Sequence, residues 1–318
     1  MTTPSNSYTD LTAEFDYKDL LTWQNLDKLG ENDAHLRQLF ASYRRPVLKY
    51  INATNVDVES NGDVTHETEI LFSDGEIRSV TEDTSSSNKY RRFNITADAE
   101  FTSGTEESGL RAALSEATNT SYAVYAVKSL INTANFVLVG DTTLPLVANF
   151  ATLNAAYGTN GWVYLGMILN GNNSDATGDI LEFAQSGNQT LLYNICDSAN
   201  AGIDPAGKRL NSTAGATSLT YTYAAGTGQL EIPNHCSKHN LITCVWAASS
   251  SRLRARTSAG TRTFWTGAGG SLIACQSFWI YPQEDIKIDD VAGNSLALDI
   301  HLAGWVDDVL GVGSNPLL

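Results

Sequence analysis

His235-Cys236-Ser-Lys-His239, with Cys244 five residues later, gathers the imidazole and thiol groups that zinc prefers. The placement argues against a metal site, because His235 and Cys236 are adjacent and Cys244 falls in the apolar run 241–247. In a strand Cys244 shares a face with Ile242 and Trp246, so a turn followed by a buried thiol is the favoured reading and no metal or cofactor is expected. Asn172-Asn-Ser-Asp175-Ala-Thr-Gly-Asp179 offers closely spaced oxygens, but it lacks the spacing and the closing glutamate of an EF-hand loop. An Asx-rich turn is read there instead.

Asp285, Asp289, Asp290, Asp307 and Asp308 include enough carboxyls for two-acid hydrolysis of a glycosidic bond, a reaction that depends on a separation set only by the fold. No Gly-x-Ser-x-Gly elbow, phosphate loop, dinucleotide fingerprint or His-Glu-x-x-His occurs, and the histidines His35, His66, His235, His239 and His301 are scattered. The chain reads as a non-enzyme. Trp265, beside the Gly-rich stretch Thr-Gly-Ala-Gly-Gly, is the candidate receptor contact, since exposed tryptophans stack on sugars and anchor protein contacts. Trp162, Trp246 and Trp279 sit within apolar runs and are assigned to the core. Arg252, Arg254 and Arg256 have the two-residue spacing of one strand face, and with Arg262 they read as solvated charge.

Twenty Lys and Arg against 35 Asp and Glu leave a formal charge of -15, which disfavours a nucleic-acid partner. The opening Met1–Ser7 has neither a basic nor an apolar leader region, and no apolar run approaches the length of a membrane span. Neither a secretory leader nor membrane insertion is expected. Four cysteines at irregular spacing in a chain of 318 residues read as free thiols made in a reducing cytoplasm.

The elements that must position these groups are mostly strands. One amphipathic helix is expected over 22–43, where Leu26, Leu29, Leu36, Phe40 and Tyr43 recur at mostly three- and four-residue steps before Arg44-Arg45-Pro46. It packs either on its own domain or against copies of itself. Beyond residue 52 the texture alternates, with turn signals at Ser60-Asn61-Gly62-Asp63 and Ser73-Asp74-Gly75-Glu76. Strands are expected at 92–97, 121–127, 135–139, 162–169, 180–183, 191–195, 219–223, 229–232, 241–247, 252–257, 277–280, 285–288 and 296–305. A short helix is expected within 106–117. The fold class is mainly β, an antiparallel β-sandwich or jelly roll preceded by an N-terminal α-helix. Residues 1–50 form the attachment or oligomerisation segment and 51–318 the body, with an internal boundary near 197–217.

Three sets of residues resemble tailed-phage fibre and appendage proteins. The first is Asp19-Leu-Leu-Thr-Trp-Gln-Asn-Leu-Asp-Lys-Leu-Gly-Glu-Asn. The second comprises Tyr122-Ala-Val-Tyr-Ala-Val-Lys, Asn135-Phe-Val-Leu-Val and Tyr157-Gly-Thr-Asn-Gly-Trp-Val-Tyr-Leu-Gly-Met-Ile-Leu-Asn. The third comprises Ser277-Phe-Trp-Ile-Tyr-Pro and Leu296-Ala-Leu-Asp-Ile-His-Leu-Ala-Gly-Trp. The resemblance implies a virion structural subunit of fibre, spike or collar type, made in the host cytoplasm. Its implied partners are itself, as a homotrimer, and other virion proteins, with a host surface glycan in the alternative adhesin reading. A glycan depolymerase is the third possibility.

Overall fold

Runs that are apolar at every position, rather than at alternate ones, make the centre of the molecule. In the computed structural model, the described residues are 46–59, 67–81, 92–102, 106–117, 120–171, 180–193, 209–216, 218–221, 239–247, 252–257, 263–268, 273–280, 286–290 and 296–307. The chain divides into Met1–Arg45 and Pro46–Leu318, and all described residues belong to the second unit. The expected helix with Leu26, Leu29, Leu36, Phe40 and Tyr43 lies outside the described residues, as do the turn at 60–63, the Asn172–Asp179 segment and the strand expected at 229–232.

Among the described residues the chain is mainly β. The strands are β1 (Val47–Asn52), β2 (Asn55–Glu59), β3 (Glu67–Leu71), β4 (Ile77–Thr81), β5 (Arg92–Asn94), β6 (Asp98–Ala99), β7 (Gly109–Arg111), β8 (Thr120–Lys128), β9 (Phe136–Asp141) and β10 (Trp162–Asn170). They continue as β11 (Phe183–Ser186), β12 (Gln189–Leu192), β13 (Arg209–Ala216), β14 (Ser218–Tyr221), β15 (His239–Ala247), β16 (Arg252–Thr257), β17 (Thr263–Ala268), β18 (Ile273–Ile280), β19 (Ile286–Asp290) and β20 (Leu296–Val306). One helix, α1 (Phe150–Tyr157), follows a 3-10 turn at Val147–Asn149.

A nine-stranded sheet runs in the order β18-β15-β20-β12-β11-β1-β2-β5, with β13 also paired to β20. β20 therefore has β15 along one flank, while β12 and β13 share the other. A five-stranded sheet has the order β10-β8-β9-β7-β6, a four-stranded sheet the order β14-β19-β16-β17, and β3 and β4 form a hairpin of their own. The pairing is antiparallel except at β6–β7 and β7–β9, which are parallel.

β10 is buried at every position and β8 at all but its ends, which is why both read as unbroken apolar runs. Tyr50, Phe93, Leu110, Leu138, Leu153 and Trp305 show how widely the core is shared between the sheets. Side-chain links also join the nine-stranded sheet to the five-stranded one. The Gln185 amide on β11 accepts from the Leu48 N–H at 2.6 Å and donates to the Leu165 carbonyl at 3.3 Å, where β10 carries a bulge. Asp307 accepts from the Tyr164 hydroxyl at 2.7 Å. Gly140 on β9 faces Phe93 so closely that a Cβ there would lie 2.6 Å from the ring.

One sequence expectation changes. The helix within 106–117 is instead extended chain containing β7, because Gly109 comes close enough for the Leu110 N–H to reach the Ala97 carbonyl at 2.5 Å and Ser108 Oγ accepts from the Leu138 N–H at 2.9 Å. β2 pairs with β1 and β5, while β3 pairs with β4. β1 begins at Val47 and turns into β2 through Asn52, whose Oδ1 accepts from the N–H groups of Thr54 and Asn55.

Candidate functional site

The Ser73-Asp74-Gly75-Glu76 turn forms as its composition suggests. Gly75 takes φ +83°, its N–H reaches the Phe72 carbonyl at 2.9 Å, and Asp74 Oδ1 accepts from the Glu76 N–H at 3.1 Å. The turn presents two carboxylates to two cations. Lys128 Nζ, at the end of β8, meets Asp74 Oδ2 at 2.5 Å and Glu76 Oε2 at 2.6 Å, and it lies 5.1 Å above the Phe72 ring. Arg78 Nε on β4 donates to Glu76 Oε1 at 2.8 Å. Hydrogen bonds from Lys128 and Arg78 hold the Glu76 carboxyl below its ordinary range. Burial works to raise that of Asp74, but the Lys128 bond and backbone donors outweigh it and leave it lowered.

This bracket supports the loop between β8 and β9. Arg78 Nη1 donates to the Ser129 carbonyl at 2.7 Å and the Asn135 carbonyl at 3.2 Å, closing the base of the loop. Glu106, wholly buried, accepts from the Ser129 hydroxyl and from the Leu130 N–H, the latter at 2.5 Å. Ser129 Oγ in turn accepts from the Asn132 N–H at 2.9 Å, and Asn132 Oδ1 from the Ala134 N–H at 3.0 Å. A buried carboxylate is costly unless hydrogen-bonded, so these bonds fix the loop's shape. The loop holds Leu130 and Ile131 in solvent, 69% and 47% exposed.

At the other end of β9 a second buried carboxylate organises the aromatic core. Asp141 accepts from the Tyr157 hydroxyl at 2.6 Å and the Thr143 N–H at 2.9 Å, with Arg111 Nη1 at 3.3 Å. Tyr125 lies at the hub, with ring centroids 5.6 Å from Trp162, 5.7 Å from Tyr164 and 5.9 Å from Tyr157. The Trp162 Nε1 donates to Asn154 Oδ1 at 2.8 Å and so ties α1 to β10. Burial, then the bond to Asp141, raises the Tyr157 phenol well above its ordinary value.

The arginine spacing on β16 becomes a cross-strand ion cluster. Arg254 Nη2 and Arg256 Nη2 lie 2.9 Å and 3.0 Å from Asp289 Oδ2 on β19. Burial works to raise the Asp289 carboxyl, but the two guanidinium groups outweigh it and hold it below the usual range. Asp289 is thereby engaged as an ion-pair partner, and Asp307 as the acceptor for Tyr164. Asp285 and Asp308 lie outside the described residues.

Trp265 falls inside β17, opposite Ala255, which is buried; only its backbone is described. Trp162 is buried, whereas Trp279 on β18 is 43% exposed rather than in the core. His239 and Cys244 lie on β15, while His235 and Cys236 fall outside the described residues. Among the described residues no group of three or more His, Cys, Asp or Glu is placed to hold a metal ion, and no helix is long and apolar enough to cross a membrane. Glu106, Ser129 and the Leu130–Ile131 pair escape sequence reasoning. Their one signal is an apolar pair set inside the turn-like stretch Ser-Leu-Ile-Asn-Thr-Ala-Asn. The sequence matches no protein-family model, and no curated protein matches it.

Proposed function

We propose that this chain is a homo-oligomeric structural subunit of a tailed-phage particle, of the fibre, spike or collar type. In this reading its body is an antiparallel sandwich or jelly roll, tied into the particle through an N-terminal helix. The phage assignment rests on the sequence resemblance. The structural observation that supports an assembly role is the Leu130–Ile131 pair, held in solvent on a loop braced by buried Glu106 and by Arg78. Apolar side chains on a preorganised loop lose little freedom when a partner covers them, as suits a protein contact. The groups described around the loop hold the fold and one another: Lys128 bridges Asp74 and Glu76, and Glu106 holds Ser129 and Leu130.

Light scattering on the purified full chain, combined with mass spectrometry of purified particles, tests the proposal. A trimer in solution and the chain's peptides in the particle are expected. A strict monomer that is missing from particles would sink the reading. The adhesin alternative draws on Trp265, and its position within a strand opposite buried Ala255 supports a loop-tip role less well than the sequence does.

A further inference from the structure

We propose that the polar face of the four-stranded sheet, where Arg254, Arg256 and Lys287 stand together, binds a carboxylate-bearing polysaccharide. The inference goes beyond the assembly reading and does not depend on it. Strand alternation gives β16 and β19 two different faces. Ala255 and Ile288 lie opposite each other across the pair, and both are buried in the core. Their neighbours along each strand point the other way, with Arg254 opposite Asp289 and Arg256 opposite Lys287. Ser218 on β14 continues the row of Asp289. The described side chains of this face are thus three cations, one carboxylate and one hydroxyl, a local positive surplus on a chain of charge -15.

Folding alone does not account for that surplus. Asp289 accepts from Nε and Nη2 of Arg254 at 3.2 Å and 2.9 Å, and from the same two atoms of Arg256 at 3.4 Å and 3.0 Å. Both guanidinium groups commit one edge to the same carboxylate, and among the described residues their Nη1 groups have no hydrogen-bond acceptor. Lys287 has no ion-pair partner among the described residues, and it sits directly opposite Arg256, where like charges destabilise a sheet. The Arg254 and Arg256 side chains remain 35% and 21% exposed, so oxygens of a ligand can reach their outer edges. Asp289 acts as a bracket that holds two planar donors in line along β16.

The chemistry of the face selects the ligand. Guanidinium groups match carboxylates with paired, charge-assisted hydrogen bonds. Protein contacts are organised around apolar or aromatic anchors, and the described side chains of this face include none. The closely spaced phosphates of a nucleic acid would be repelled by the acidic chain around it. Hydroxyl-rich rings with spaced carboxylates suit a wholly polar surface, and a polymer can engage all three cations at once.

The test is calorimetric titration of the full chain with oligogalacturonate and with oligosialate, compared with methyl-esterified oligogalacturonate and with poly-glutamate. The variants are Lys287→Gln, which leaves the Asp289 cluster whole, and the pair Arg254→Gln and Arg256→Gln, with Lys49→Gln at an exposed site on β1 as the control. Circular dichroism checks that each folds like wild type. Wild type and Lys49→Gln are expected to bind at least one of the two acidic glycans alike and the methyl ester not at all. Lys287→Gln should bind about threefold or more weakly, and the double variant should lose binding. Absence of binding to both acidic glycans overturns the inference, as does equal binding of the methyl ester or insensitivity to Lys287→Gln and the double variant. If poly-glutamate binds as tightly through the same residues, the face takes an acidic protein segment and the inference is wrong.

Discussion

The hydroxyl of Tyr157 at the end of α1 donates to Oδ2 of Asp141 at the end of β9, 2.6 Å away and inside the core. The helix and the five-stranded sheet are joined there by one phenol and one carboxylate. Arg111 approaches the same oxygen from β7 at 3.3 Å, so three elements converge on Asp141.

Replacing Tyr157 by Phe removes that donor and leaves the ring packing in place. Hydrogen bonds to charged groups contribute about 1.5–3 kcal/mol, and a loss of that size is expected in urea unfolding. A change indistinguishable from zero would mean that another donor, or water, satisfies Asp141 in the variant.

The raised phenol of Tyr157 also gives an alkaline signature. Its folded pKa lies above the unfolded value of about 10, so the folded state keeps a proton that the unfolded chain gives up. The stabilisation is complete below about pH 10 and is lost as pH rises beyond it. Unfolding midpoints measured across that range should fall more steeply for wild type than for Tyr157→Phe, and parallel curves would contradict the linkage.

Glu106→Gln should loosen the loop that carries Leu130 and Ile131. Gln keeps the volume but loses the charge that receives the Ser129 hydroxyl and the Leu130 N–H. A cost of about 1–3 kcal/mol is expected, with faster hydrogen exchange at the Leu130 amide than at strands β8 and β9. Uniform acceleration across the protein would mean that Glu106 supports the fold generally and the loop only incidentally.

The Asp289 cluster has an acid signature. Its carboxyl is lowered on folding, so its contribution is present above the unfolded value of about 3.9 and is lost as pH falls through the folded one. In Arg254→Met, carbon NMR of side-chain carboxyls should show Asp289 titrating at higher pH than in wild type. An unmoved midpoint would show that Arg256 alone holds it.

Gly140→Ala places a Cβ 2.6 Å from Phe93 Cζ and 3.1 Å from Leu110 Cδ2. Overpacking of this kind costs about 1–3 kcal/mol. Adding Phe93→Leu makes room, so the double variant should be more stable than the two single costs predict. Strict additivity would place the strain elsewhere.

The parts of this fold that announce themselves in the sequence are those whose chemistry is local. The runs at 121–127, 135–139 and 162–169 appear as β8, β9 and β10 because strands covered on both faces need an apolar side chain at nearly every position. The alternation of Arg252, Arg254 and Arg256 likewise marks β16. What stays hidden depends on partners distant in sequence. β7 looks helical until Ala97 and Leu138 supply its neighbours. The 150–157 helix, rich in Ala and capped by no acidic first turn, offers little amphipathic contrast to read. Glu106 and Leu130 stand 24 residues apart, and only the fold shows that one positions the other.

β20 is flanked by β15 on one side and by β12 and β13 on the other, and it is the last of the described strands to leave the ribosome. Until it arrives, the sheet is three separate pieces, β15 with β18, β12 with the strands beyond it, and β13, whose edges facing the gap display unpaired backbone groups. Chain elongation at about 5–20 residues per second leaves that slot open for seconds, with other half-made copies nearby on the same message. The piece that completes one subunit fits the slot of the next equally well. Exchange of this single strand between nascent chains, rather than wholesale unfolding, is therefore the error to which the architecture is most open.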